Sequence, residues 1–237
     1  MLMRDLKGFL PVVCLMLGAC GPTYAPPVRS GHHGAPGRMQ AGHMEVAGDV
    51  AGPVGNPSMG GPAMGVQVLD WLEVQAGVDA SLLDEDSSWT MGWTGLAFTG
   101  REGPLAMEVE LGLGGGAGGY YCESADDCGE KAGPWYERPA FGTYFGAGLG
   151  LHIRWFSFFG RMRFQVTTAR DVPATMWATG VAGIQISILR SFHIHFGAGR
   201  GGYWNDMDSM TFDILDMGVS MSFNVIGPGR KGFRLEK

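Results

Sequence analysis

Charge is scarce in this chain. Of its 237 residues only 17% are Asp, Glu, Lys or Arg, where a soluble domain carries roughly 25%. With a net charge of −6 and no basic patch, it lacks the phosphate-neutralising surface of a nucleic-acid binder, and no nucleic-acid partner is expected. Long hydrophobic runs are missing too. Past the N-terminus no stretch approaches the roughly 18 consecutive apolar residues of a membrane-crossing helix. Cysteine is limited to four residues. There is no nucleophile elbow and no phosphate loop. The glycine runs at Gly112–Gly119 and Gly197–Gly202 lack the helix that a dinucleotide site would need next. No catalytic residue and no cofactor is therefore expected.

What the chain has is glycine, 41 residues of it, and alternation. In Thr143–Thr167, Phe145, Ala147, Leu149, Leu151 and Ile153 share one strand face. Tyr144, Gly146, Gly148, Gly150, His152 and Arg154 share the other. After a tight turn, Phe156, Phe158, Met162, Phe164 and Val166 oppose Ser157, Arg161, Arg163, Gln165 and Thr167. A soluble sheet buries the Phe and Leu face, whereas a membrane barrel turns that face to lipid and packs glycine and charge inside.

Six further signals of this kind place strands at Leu72–Ala80, Trp89–Thr99, Leu105–Gly114, Met176–Ile188, Phe192–Tyr203 and Leu215–Val225, eight in all with the two arms of the hairpin. Connections after the second, fourth and sixth strands are tight, at Gly100–Gly103, Arg154–Ser157 and Leu189–Ser191. Those after the first, third, fifth and seventh are longer, at about Leu82–Ser88, Gly115–Gly142, Ala169–Ala174 and Trp204–Ser209. Short turns at one rim and long loops at the other is the habit of outer-membrane barrels. Trp155, Phe156 and Phe192 at the turn rim, and Trp89, Tyr144, Trp177, Tyr203 and Trp204 toward the loop rim, are placed as two interfacial girdles.

The ends carry other signals. Residues 1–19, with Arg4, Lys7 and the apolar Phe9–Leu17, read as an export signal. It closes on Leu17-Gly18-Ala19-Cys20, which resembles the bacterial lipoprotein box, and that resemblance implies a lipid on Cys20. Residues 20–64 are rich in Gly, Pro, Met and His without periodicity and read as a disordered linker. His32, His33, His43, Met39 and Met44 in it could meet a soft metal, but their spacing fits no ordered site. The final strand holds Asp216, Gly218, Met221 and Phe223 in the order polar, Gly, apolar, aromatic. This is similar to the assembly signal of bacterial outer-membrane barrels, although Asn224–Lys237 continue beyond it.

Over residues 65–225 the chain thus resembles small outer-membrane barrels. The expected fold is all-β: an eight-stranded antiparallel up-and-down transmembrane β-barrel, preceded by the linker and followed by a basic periplasmic tail at 226–237. The resemblance implies the Gram-negative outer membrane, with both termini periplasmic, and as partners outer-membrane lipid and the barrel-assembly machinery.

Counting residues up from the short turns places Glu108 and Glu110 level with Arg161 and Arg163, across the glycines of the intervening strand. Charges in a low-dielectric interior persist when paired. A lumenal ion-pair network of Glu108, Glu110, Arg161, Arg163 and Glu73 is expected, acting as a polar filling. His152, His193 and His195 share the polar face near the turn rim, where hydrogen-bonded filling is the simpler role and zinc or a proton relay the sharper one. Cys122 and Cys128 in the longest loop fit a disulfide in an exported chain.

Function then divides into three classes. The first is a barrel with a structural or surface-interaction role through loop 115–142, its lumen too full for a wide pore. The second is an outer-membrane lipid-modifying enzyme, which needs a histidine at the loop rim. The third is a lipid-tethered, lipocalin-like soluble binder, which needs Leu149, Leu151, Phe158 and Phe164 pointing inward.

Overall fold

The computed structural model describes residues 25–29, 31, 34–37, 40–53, 59–81, 87–120, 136–170, 172–189, 191–206 and 209–225. Ten strands follow in chain order: β1 (His43–Pro53), β2 (Met59–Leu69), β3 (Leu72–Ser81), β4 (Ser87–Glu102) and β5 (Leu105–Tyr120). Then come β6 (Tyr136–Ile153), β7 (Phe156–Ala169), β8 (Val172–Ser187), β9 (Phe192–Trp204) and β10 (Ser209–Asn224). Each strand pairs antiparallel with its sequence neighbour, and β1 pairs with β10 from His43↔Asn224 to Pro53↔Ile214. The sheet is a closed up-and-down barrel, so no edge strand is left unpaired.

The alternating faces fall as a membrane barrel requires. Leu111, Leu149 and Phe164 are 45%, 53% and 50% exposed on the outside, while Glu110 and Arg163 are 3% and 0% exposed inside. Leu151 and Phe158 also face outward. The greasy inner cavity of a lipocalin-like binder is therefore not built from these residues.

The count of ten corrects the expected eight, and the stretch taken as a linker supplies the difference. In β1, Val46 and Val50 face out while Ala47, Asp49 and Ala51 face in. In β2, Met64 and Val68 face out while Ala63 and Gln67 face in. Alternation exists in both strands, diluted by glycine and proline. Pro62, with no N–H to give a ladder, sits where the β2–β3 pairing passes from Gly60↔Ala80 to Ala63↔Gly77 without it.

Connections at one rim are short, at residues 70–71, 103–104, 154–155 and 188–191. At the other they span 54–58, 82–86, 121–135 and 205–208, but only 170–171 between β7 and β8. The expected long loop at Ala169–Ala174 is thus mostly strand, since β7 runs to Ala169 and β8 begins at Val172. The aromatic expectation also divides. Trp155 and Phe156 are exposed at the short-turn rim, and Trp204 at the other. Trp89, Tyr144, Trp177 and Tyr203 instead turn inward and are buried. Eight strands leave an interior that side chains just fill. Ten leave more, and inward rings are one means of filling it.

The other means is the chain itself. Ahead of β1, the described residues between 25 and 37 run through the lumen. At the long-connection rim Ala25 N donates to Thr175 Oγ1 at 2.9 Å and the Ala25 carbonyl accepts from Trp177 Nε1 at 3.0 Å. At the opposite rim the Pro36 carbonyl lies 2.9 Å from His152 Nε2. The segment then turns and enters β1 at the rim where β10 ends, with Val225 N donating to the Gly42 carbonyl at 2.9 Å. An N-terminal approach from the side of the C-terminus was expected. The segment enters from the opposite side.

Candidate functional site

The occluded lumen is the candidate site, and register builds it. Glu110 on β5 pairs with Gly146 on β6, which pairs with Arg163 on β7. Two residues nearer the turn rim, Glu108, Gly148 and Arg161 form the next rung. All six positions fall on the inward-facing parity of their strands. A Cβ on Gly146 would lie 2.5 Å from Glu110 Oε1, and one on Gly148 would lie 3.2 Å from Arg161 Cγ. The glycine column is therefore the space through which acid and base meet.

They meet closely. Arg163 Nε and Nη2 both lie 2.8 Å from Glu110 Oε1, Arg161 Nη1 is 2.9 Å from Glu108 Oε1, and Arg161 Nη1 is 3.9 Å from Glu110 Oε2. Glu73 sits at the margin, accepting from Gln75 Nε2 at 3.0 Å. Four of the five residues singled out in the sequence are joined by ion pairs, while the fifth, Glu73, is held by Gln75.

A sixth member comes from the stretch read as a tether. Arg29, fully buried, places Nη1 2.8 Å from Glu110 Oε2 and 2.9 Å from Gln75 Oε1. Its guanidinium carbon stands 4.1 Å from the Trp93 ring centroid and 5.7 Å from that of Tyr144. An aromatic box around a desolvated guanidinium adds cation–π attraction to the ion pair. The backbone of Arg29 is held as firmly: its N–H donates to Gln165 Oε1 and its carbonyl accepts from Gln165 Nε2, both at 2.9 Å.

Below Arg29 the described residues of the segment form no helix or strand, so their backbone groups must find side-chain partners. Arg163 Nη1 donates to the Gly31 carbonyl at 2.8 Å, Arg161 Nε to the Gly34 carbonyl at 2.7 Å, and Ala35 N donates to Gln185 Oε1 at 2.6 Å. The two arginines thus serve strand and segment together. Gly34 and Gly37 both have φ of +71°, a left-handed conformation that glycine adopts without strain. Val28 lies over Gly114 and Gly142, where a Cβ would come within 2.7 and 2.6 Å of its methyl groups, and Pro36 lies over Gly150. The inward glycines of β5 and β6 form a trough that receives the segment.

The remaining residues named from sequence fall as follows. His152 bridges the Pro36 carbonyl and Ser157 Oγ, at 2.9 and 2.8 Å. His193 and His195 are buried side by side on β9, at the turn-rim end and away from the loops. Asp216 and Gly218 face the lumen, and Met221 and Phe223 are exposed outside. Cys20, Cys122, Cys128, the export signal and the tail at 226–237 lie outside the described residues. Arg29 could have been suspected from sequence on one ground. It and Arg38 are the only charged residues between positions 21 and 44.

No protein-family model matches the sequence, and no curated protein is similar to it. Similar solved structures include the N-terminal β-barrel domain of Pseudomonas aeruginosa OprF, at 12% identity and TM-score 0.37, over 78% of this chain and 100% of that one. The beta domain of the Bordetella autotransporter BrkA gives 9% identity and TM-score 0.43, over 78% and 99%. An outer membrane channel from Pseudomonas putida F1 gives 11% and 0.37, over 83% and 100%. The chain's own residues, rather than these likenesses, carry the reading that follows.

Proposed function

We propose that this protein is an integral outer-membrane barrel of a Gram-negative envelope, closed by its own N-terminal segment, with a structural or surface-interaction role. The observation that carries the reading is the inversion of faces. A continuous apolar exterior encloses three arginines and their carboxylates, an arrangement with low cost in hydrocarbon and high cost in water. The described residues between 25 and 37 occupy the interior, so the resting barrel does not conduct. A surface partner would be met by the β5–β6 hairpin, residues 115–142. Its β6 arm continues beyond Ala140, where pairing with β7 ends at Ala169. Outer-membrane lipid would cover the exterior, and Asp216, Gly218, Met221 and Phe223 on β10 would present the signal to the assembly machinery.

The test is extraction. With Cys20→Ala removing any lipid anchor, the protein is expected to remain in the membrane pellet after an alkaline carbonate wash. Release into the supernatant would mean that only a lipid had held it, and the barrel would then be a soluble body.

A further inference from the structure

We propose that Asp49, His195 and Asp216 form a binding site for a divalent transition-metal ion that ties together the strands on either side of the barrel's closure. The three residues stand on other strands than the Glu108, Glu110, Arg161 and Arg163 rungs, with Arg29 of the lumenal segment charge-coupled to Asp49. Asp49 is on β1, Asp216 on β10 and His195 on β9, so the three span the pairing that joins the first strand to the last.

Register brings them together. Gly218 on β10 pairs with Asp49 on one side and His195 on the other, and Asp216 stands two residues away on the same inward face. A Cβ on Gly218 would lie 2.5 Å from His195 Cε1 and 2.8 Å from the Asp49 Cβ. The missing side chain is what lets its neighbours converge. One ligand atom from each of the three residues lies within 4.8 Å of the others, and all three residues are at most 3% exposed. His195 Nε2 makes no hydrogen bond among the described residues, and Asp216 Oδ1 lies 3.7 Å from it. A buried ring nitrogen that faces one carboxylate without a hydrogen bond, with a second carboxylate in the same cluster, is a ligand atom suited to an ion. The lumenal segment caps the site, since a Cβ on Gly31 would fall on the Asp49 carboxylate.

The donor set selects the ion. One imidazole and two carboxylates suit zinc or a similar first-row ion, which coordinates nitrogen and oxygen at about 2.0–2.2 Å. Calcium takes six to eight oxygens and magnesium keeps its waters, so neither matches a nitrogen-bearing set of three. Closing onto zinc would draw the ligands together by about 1 Å, which small χ rotations provide.

The probe is zinc, added to the full chain folded in detergent and first stripped with chelator. One zinc per chain is expected to survive desalting and to raise the temperature at which the folded, fast-migrating gel band is lost. Magnesium and calcium should do neither. In Asp49→Asn/Asp216→Asn, which keeps shape and removes two buried charges, the folded band should persist while zinc affinity falls at least tenfold. His195→Gln gives the same reading through a single neutral change. Zinc retained at wild-type affinity in the folded variants would place the ion elsewhere on the chain, and no bound zinc in the wild type would leave the cluster without an ion; either overturns the proposal.

Discussion

Arg29 and Glu110 meet at 2.8 Å with both side chains buried, although 81 residues separate them in sequence. Glu110 already has Arg163 at 2.8 Å from its other oxygen. The strands by themselves therefore present an acid held by a base, and the segment brings a second base to the acid's remaining side. That makes Arg29 the fastening between segment and wall, and Glu110 the residue both depend on.

Arg29→Met should loosen the segment without unfolding the barrel. Removing one member of a buried pair costs about 3–5 kcal/mol, and here the cost falls on docking, because Glu110 keeps Arg163. Reconstituted in planar bilayers, the wild type should be closed and Arg29→Met should show frequent openings. Deletion of residues 25–37 should conduct steadily. A deletion variant that stays closed would show that the segment does not occlude the lumen.

Two glycines on neighbouring strands give opposite expectations. At Gly146 a Cβ would meet Glu110 Oε1 at 2.5 Å, so Gly146→Ala must push the carboxylate away from both arginines. At Gly160, on the outer face of β7, nothing lies within 4 Å. Gly146→Ala should cost about 1–3 kcal/mol, as overpacking does, and lower the temperature at which the fast-migrating band disappears. Gly160→Ala should leave that temperature unchanged or raise it slightly. Equal effects at both positions would detach the glycine column from the ion-pair network.

Legibility followed the outward residues. Strands such as β5, β7 and β10 stood out in the sequence because Val, Leu, Met or Phe fills most of their outward positions, against small or polar residues on much of the inner face. In β1 and β2 the outward positions include Gly48, Gly52, Gly60 and Pro62, so the period is present but the contrast that reveals it is gone. The Glu–Arg rungs were readable because short turns fix register, and register fixes height. The lumenal segment was not, since its backbone bonds go to Gln165, Arg161, Arg163 and Gln185, more than 120 residues away. No local pattern encodes such partners. The inward turn of Trp89, Trp177 and Tyr203 follows from parity, which sets them on the same face as the buried Trp93, Val181 and His195.

The exterior makes its own prediction. Leu149 lies four residues from the short-turn end of β6 and Ile153 at that end, both facing out. Arginine near the middle of a bilayer costs about 2–4 kcal/mol and near its surface about 0–1. Leu149→Arg should therefore reduce the stability of the barrel folded into liposomes by several times more than Ile153→Arg. In a water-soluble barrel both would be near neutral, and equal small effects would contradict a membrane-facing wall.

The last prediction concerns the side on which the chain begins its passage. Ala25 is fixed at the rim of the longer connections by Thr175 and Trp177. Cys20 is five residues upstream, and five residues reach about 17 Å at full extension. The 14 residues of β7 run about 45 Å at ~3.3 Å per residue and, tilted by about 40°, stand about 35 Å tall. Cys20 cannot return through the lumen over that distance. If short turns face the periplasm, as in outer-membrane barrels, a lipid on Cys20 would enter the outer leaflet and residues just after it would be displayed on the cell. An epitope inserted between Thr23 and Tyr24 should bind antibody on intact cells, whereas one placed after Lys237 should bind only after permeabilisation. Both epitopes hidden until permeabilisation would reverse the passage of the segment and return the N-terminus to the periplasmic side.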